Sequence, residues 1–230
     1  MLVAAGLVFL ALACSSDDGP APPSGEGCPV AAVVCEVAAE VGRAAAAGDF
    51  SAIVAAGAGQ DFTCPSARPE GLGGPYPLCD GARAGEKRQG FPLAYVPGEG
   101  LVEGREGVLA ALNNWTASAV RSKSDAFGDG STRVFTVGCP EKGRCEDYFA
   151  VVLSNLGTVP FRLQAVLFFR AQQGQPRLTS LAIGWIADMT QSEVVLSGGR
   201  TRDFLRFQGW PALTDFHRVT PSDLEAAASR

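Results

Sequence analysis

The sequence has little of what most catalytic sites require. It contains one histidine among 230 residues, His217, which we expect to lie exposed to solvent in the tail. A Ser-His-Asp or Cys-His site would have to recruit that side chain. No Gly-x-Ser-x-Gly elbow is present. No Cys-x-x-Cys or His-x-x-x-His spacing occurs either, which argues against a zinc site. We therefore expect neither a metal nor a cofactor.

Basic residues are also sparse. The chain has 19 Lys and Arg against 24 Asp and Glu, a net charge of −5, and the basic residues form no run. Because affinity for a phosphate backbone comes from clustered Lys and Arg, this balance argues against a nucleic-acid partner. The hydrophobic content of 47% is typical of a globular protein with a proper core.

The first 27 residues divide into an apolar and a polar part. Residues 1–13 carry no charge and are too few to span a bilayer as a helix, but they suit the apolar region of a signal peptide. Residues 15–27 contain no large apolar side chain and are rich in Pro, Gly, Ser and acids, which predicts a disordered tether. A buried N-terminal helix or strand is the alternative for residues 1–13.

The residues that lead up to Cys14 resemble a known processing motif. Residues 10–14 (LALAC) resemble the lipobox of bacterial lipoproteins, although Ala11 stands where that family prefers Leu. The resemblance implies that residues 1–13 are removed and that Cys14 carries a lipid. It also implies an extracytoplasmic protein, held at the cell membrane or the outer membrane.

The other six cysteines form an even set, which an oxidising compartment would pair. The loops that they enclose predict the pairs Cys139–Cys145 and Cys64–Cys79. The third pair, Cys28–Cys35, follows by elimination, and it requires the chain at Cys28 to fold back before a helix begins.

The hydrophobic periodicity changes from helical in the first half to strand-like in the second. Helices are predicted at residues 29–47, 50–56 and 103–119, and strands at residues 60–64, 91–96, 132–137, 148–153, 161–171 and 177–186. Residues 98–104 are predicted as a turn, and the tail after residue 187 has one candidate edge strand at 193–197. This order predicts an α+β domain with helices on one face of an antiparallel sheet.

The element order and residues 46–53 (AAGDFSAI) resemble the NTF2-like superfamily, which includes the SnoaL-like proteins. The resemblance covers residues 29–186. It implies a domain at residues 28–187 in which helices on one face of a curved antiparallel sheet enclose, with that sheet, a conical apolar pocket. Residues 188–230 are then an extension that packs on the domain or trails from it. Some members of the superfamily are isomerases, dehydratases or cyclases, and many are binding or assembly modules without chemistry.

Five residues are candidates for such a pocket. Asp61, Tyr95 and Tyr148 are the candidate catalytic residues, and Trp115 and Trp185 the candidate lining residues. The alternative is that both tryptophans belong to a packed core and that Asp61 caps a strand.

A second candidate site is the charged stretch that follows Cys79. Asp80, Glu86 and Arg88 lie in a loop that the predicted disulfide anchors, and such loops often carry binding surfaces. A solvated loop without function is the alternative.

Together these features favour an exported, membrane-tethered lipoprotein with a non-catalytic binding or interaction domain. Its ligand would be a small apolar molecule or an envelope protein. One alternative is an isomerase or dehydratase that uses the apolar pocket, and another is an accessory domain for cell-envelope assembly. The oligomeric state stays open, with a homodimer as one option.

Overall fold

The computed structural model describes residues 28–66, 76–96, 100–121, 133–140, 143–154, 161–187 and 213–228. Its elements in chain order are α1 Ala32–Ala47, α2 Ser51–Ala56, β1 Gln60–Thr63, the 3-10 turn η1 Pro77–Cys79, β2 Lys87–Val96, β3 Gly100–Glu103, α3 Arg105–Arg121, β4 Arg133–Pro140, the 3-10 turn η2 Cys145–Asp147, β5 Tyr148–Ser154, β6 Phe161–Gln172, β7 Gln175–Ala187, β8 Leu213–Arg218 and α4 Pro221–Ala228. The predicted leader, the tether with Cys14 and the candidate strand at 193–197 lie outside the described residues.

The first two helices begin and end where local chemistry dictates. At the end of α1, Gly48 adopts a left-handed conformation with φ of 68°, which favours glycine, and its N–H bonds to the Ala45 carbonyl. Asp49 then accepts hydrogen bonds from the backbone N–H and the hydroxyl of Ser51, at 2.9 and 2.6 Å, where α2 begins. No helix in the described ranges is both long and apolar enough to cross a membrane.

The strands form one sheet in the order β1-β2-β7-β6-β5-β4-β8, with β3 paired to β2. β4 to β7 make the predicted antiparallel meander, and β2 pairs with β7 in parallel. Register shifts in the β4–β5, β4–β8 and β6–β7 pairs mark bulges, which bend a sheet. The α+β class, with helices on a curved and mostly antiparallel sheet, is confirmed.

Two sequence-based expectations about elements are wrong. Part of the segment predicted as a turn before α3 is the strand β3, which pairs with residues 91–94 of β2. His217 was expected in a solvated tail, but it lies in β8, opposite Val137 of β4, and its carbonyl accepts a 2.7 Å hydrogen bond from Thr136. The described part of the tail thus adds a strand to the sheet, and α4 packs against α1.

The two faces of the sheet bury different sets of side chains. On the face that α1, α2 and α3 cover, the helix face, alternate strand residues such as Phe149, Leu167 and Leu181 pack with Phe50 and Leu112 of the helical half. The opposite, outer face has its own cluster of buried residues: Ala94, Tyr148, Ala150, Val152, Val166, Phe168 and Ala182. Burial on both faces explains why β5 reads as a continuous apolar run rather than an alternating one.

Candidate functional site

All six remaining cysteines come together as the pairs predicted from the sequence. The Cα atoms lie 6.2, 5.5 and 4.9 Å apart, within the range of a disulfide. The pairs are Cys28–Cys35, Cys64–Cys79 and Cys139–Cys145. The first is possible because α1 begins only at Ala32, so that Cys28 folds back towards the helix.

The Cys64–Cys79 pair anchors a loop to the start of the sheet. The Cys64 N–H donates to the Glu86 carbonyl at 2.8 Å and the Gly85 N–H to the Cys64 carbonyl at 2.9 Å, so the β1–β2 pairing continues to the disulfide. η1 follows the loop and packs on β2 and β3. The disulfide and these hydrogen bonds fix η1 against the end of the sheet.

Between these elements lies an open cleft of about 290 Å³, which we call the edge groove. Its walls are apolar apart from one threonine and the phenol of one tyrosine, and they come from β1, the disulfide loop, η1 and β3. The lining residues are Phe62, Thr63, Pro65, Tyr76, Leu78, Cys79 and Val102. A cleft built on a loop that a disulfide holds against the sheet is a candidate binding site.

Gly90 of β2 makes this arrangement possible. A side-chain Cβ at position 90 would collide with the side chains of Leu78 and Val102, and it would lie 3.3 Å from the Glu103 carbonyl oxygen. The missing side chain lets η1 lie directly on β2 and form one wall of the edge groove.

The candidate loop residues lie beside the edge groove and bind to each other. Glu86 accepts hydrogen bonds from the Arg83 backbone N–H at 3.0 Å and from the Arg88 Nε at 2.7 Å. Arg88 also donates from Nη1 to the Leu78 carbonyl at 2.8 Å. These hydrogen bonds hold the pKa of Glu86 below its ordinary value of 4.5, the Arg83 amide having the larger effect. Glu86 and Arg88 therefore organise the loop.

Glu103, the last residue of β3, follows the lining residue Val102 in sequence. Burial raises the pKa of Glu103 above its ordinary value of 4.5, and the negative charge of Asp80, just after η1, raises it further. The Glu103 side chain also packs over Gly107 in the first turn of α3. The negative charges of Asp80 and Glu103 are therefore close enough to repel each other.

The residues predicted for a conical pocket do not converge. Trp115 is buried in the cluster of the helix face, whereas Tyr148 is buried in the cluster of the outer face. Tyr148 precedes Phe149, which points to the helices, and successive strand residues point to opposite faces. The expectation that Trp115 and Tyr148 line one cavity is therefore wrong.

The remaining pocket candidates give no catalytic pair. Asp61 is exposed on β1 and lies in register with Gln89. Burial raises the pKa of the Tyr148 phenol above its ordinary value of 10, outweighing the opposite effect of Arg170, so the phenol keeps its proton at neutral pH. Tyr95 lies on β2 and Trp185 on β7, but their side chains are outside what the structure describes.

The helix face is closely packed where the structure describes it. Phe149, Leu153, Leu167 and Leu112 have no surface that water can reach. No water-sized space therefore touches these side chains, and the described part of this layer is core.

Sequence reasoning missed most of the edge groove. Phe62, Tyr76 and Val102 are separated in sequence and follow no shared pattern; only Cys64 and Cys79 indicated that these segments meet. Among the described residues, no group of three His, Cys, Asp or Glu side chains is arranged to hold a metal ion.

No family model matches the chain, and no curated protein sequence matches it. One solved structure that it resembles is the crystal structure of a DUF4783 family protein from Bacteroides ovatus ATCC 8483. That match has 12% identity and a TM-score of 0.37, and it covers 66% of this chain and 98% of the other.

Proposed function

We propose that the protein is an exported bacterial lipoprotein, tethered to a membrane through Cys14, whose domain binds a partner without catalysing a reaction. The single observation that carries the binding role is the contrast between two regions. The described helix face is packed core, whereas the edge groove is open, apolar and covalently anchored.

Export is supported by the cysteine pairs. Three pairs at disulfide distance, one in each of three separate parts of the domain, fit an oxidising compartment outside the cytoplasm. The apolar leader and the acidic, Pro-rich tether point the same way. We also propose that the domain has an NTF2-like fold, on the strength of its element order and of residues 46–53.

The separation of the pocket candidates weighs against the alternative of an isomerase or dehydratase. A proton-transfer site on an apolar substrate needs a base and a hydrogen-bond donor that face the same reacting atoms. Trp115 and Tyr148 lie on opposite faces of the sheet, and Asp61 is exposed at its end.

The test is intact-mass analysis of the protein purified from its host, before and after reduction and alkylation. We expect an acyl modification on Cys14 and six thiols that react only after reduction. A Cys14→Ser variant should lack the acyl mass and leave the membrane fraction. An unmodified Cys14, or thiols that react without reduction, would overturn the proposal.

The binding role is tested separately by photo-crosslinking in the host. A crosslinking amino acid replaces Tyr76 in the edge groove, and a control replaces Ala110, which is exposed on α3. We expect a discrete adduct from position 76 that the control does not give and that Leu78→Asp abolishes. Equal adducts from both positions would contradict a binding role for the edge groove.

A further inference from the structure

We propose that residues 188–212, which connect β7 to β8, cross the outer face of the sheet and bury its apolar cluster. The occupant of this face is therefore a segment of the same chain, not a second copy or a separate partner. This inference is independent of the proposed function, which concerns Cys14 and the edge groove.

The outer face is buried although the described helices pack on the other side of the sheet. Val152 and Phe168 have no surface that water can reach, and Val166 is 4% exposed. All members of the outer cluster come from strands, and among the described residues Leu213 is the one further apolar side chain that packs against them. One leucine cannot shield a phenylalanine ring and two valines. Because this burial occurs within a single chain, the remaining shielding comes from the same chain.

The connection from β7 to β8 has to cross the sheet. Neighbouring strands are antiparallel throughout the order β7-β6-β5-β4-β8, so β7 and β8 run in the same direction. The chain must return to the opposite end of the sheet and pass three strands before β8 begins. Four strand spacings are about 19 Å. Residues 188–212 span about 80 Å when fully extended, so their length is sufficient.

The handedness of crossover connections selects the outer face. β3 and β4 are also parallel, and the chain between them passes over the helix face through α3, which packs there with Val108 and Leu112. Both crossovers move across the sheet towards the β8 edge, but β3 and β7 point in opposite directions. Two such crossovers have the same hand only if they lie on opposite faces. Since almost all of these connections are right-handed, the position of α3 assigns residues 188–212 to the outer face.

The composition of the connection suits an apolar face. Leu213, the first residue of β8, packs on the outer cluster at the point where the chain re-enters the sheet. The connection itself supplies three aromatic side chains, Phe204, Phe207 and Trp210. Three of the seven cluster residues are alanines, and small residues on one layer leave room for large side chains from the next.

The test is photo-crosslinking within the full-length chain in its host. A photoreactive phenylalanine analogue replaces Phe204, Phe207 or Trp210 in turn, and a control replaces Ala110, which is exposed on α3. Each product is separated by mass and digested, and mass spectrometry locates the crosslink. We expect adducts of monomer mass that join residues 188–212 to members of the outer cluster, and no such adduct from position 110.

A measurement on the unsubstituted protein guards against a crosslinker that disturbs the packing. A soluble paramagnetic reagent broadens the methyl NMR signals of groups that solvent can reach. The methyl groups of Val152 and Val166 should be broadened as little as those of Val151 on the helix face, and far less than that of Ala110. Broadening equal to that of Ala110 would overturn the inference, because the outer face would then be open.

Three other results would each identify a different arrangement and overturn the inference. Outer-cluster adducts of dimer mass would assign this face to a second copy. Intrachain adducts to Phe149 or Leu167 would place the connection on the helix face. No adduct from any of the three positions, with Val152 still shielded, would mean that another part of the chain covers the face. None of these results bears on the acyl group of Cys14 or on the crosslink from position 76.

Discussion

The Arg88 guanidinium lies against the main chain of η1, where its Nη1 donates a 2.8 Å hydrogen bond to the Leu78 carbonyl. The same side chain donates from Nε to Glu86 at 2.7 Å. One residue of β2 therefore links the sheet, the disulfide loop and one wall of the edge groove.

Replacing Arg88 by Met should loosen this link. Arg88→Met removes both hydrogen bonds but keeps a side chain of similar length, and we expect the free energy of unfolding to fall by about 1 kcal/mol. Urea unfolding measures the loss. Lys87→Ala, an exposed change on the same strand, should cost much less and serves as the control. Equal costs for both variants would show that the Arg88 hydrogen bonds contribute nothing.

The same variant should alter the dependence of stability on pH. The pKa of Glu86 is lower in the folded protein than its ordinary value of 4.5, so its stabilising effect is present above that value and is lost as the pH falls. Arg88→Met removes one cause and leaves the Arg83 amide. We therefore expect a shallower acid loss of stability in the variant, not a flat profile.

Gly90 should tolerate no side chain without a cost. In Gly90→Ala the new methyl group collides with Leu78 and Val102, and we expect a loss of about 1–2 kcal/mol in urea unfolding. Adding Leu78→Ala should make the glycine substitution less costly, because it removes one of the two colliding groups. Gly104→Ala is the control, since a Cβ there meets nothing closer than 4.0 Å.

Much of the sheet is predictable from the sequence, because long strands have distinctive compositions. β6 and β7 pair over twelve register positions, and their β-branched and aromatic residues indicate a hairpin around Gly174. β3 has only four residues, begins with Gly100 and is followed by Gly104, and its pairing with Phe91 depends on the tertiary fold. A short strand has too few residues for an alternation of apolar and polar positions to be recognised in the sequence.

The outer face shows a different limit of sequence reasoning. Phe168 and Val166 alternate with Leu167 and Ala165, but all four are buried. The sequence indicates apolar residues on both sides of β6 without indicating which side meets the helices. Tyr148 of β5 is a similar case: its strand was predicted correctly, but the face to which its side chain points was not.

The ionisation of Glu103 should depend on Asp80. Burial is the larger cause of its raised pKa and the charge of Asp80 the smaller, so Asp80→Asn should lower the pKa of Glu103 only part of the way towards 4.5. Carboxyl chemical shifts followed by NMR measure this titration. A complete return to 4.5 would mean that burial has no effect there.

The ionisation of Glu103 should change stability with pH in the opposite direction to that of Glu86. Because the pKa of Glu103 is higher in the folded state, ionising this carboxyl costs stability as the pH rises above 4.5. Glu103→Gln removes that cost, so the variant should be more stable than the wild type at neutral pH. The difference should vanish as the pH falls below the ordinary carboxyl range, where both proteins are neutral at this position.

Substitutions of Trp115 test whether the helix face is a packed core or holds a ligand cavity. Its side chain is buried, and its Nε1–H has no acceptor among the residues that the structure describes. If it is core, Trp115→Ala should cost about 3–5 kcal/mol, because a large cavity remains. Trp115→Phe should cost far less, within about 1 kcal/mol, because the loss of apolar contact is offset by removing a buried donor without a partner.

Urea unfolding of the two variants measures both values. Residues that line an open cavity lose few contacts on truncation, so a cost of about 1 kcal/mol for Trp115→Ala would contradict the packed core. That result would revive an apolar pocket between α3 and the sheet. A large cost for Trp115→Ala together with a small cost for Trp115→Phe would mean that the indole stabilises the fold through its packing alone. The helix face is then core, and the edge groove remains the candidate binding surface.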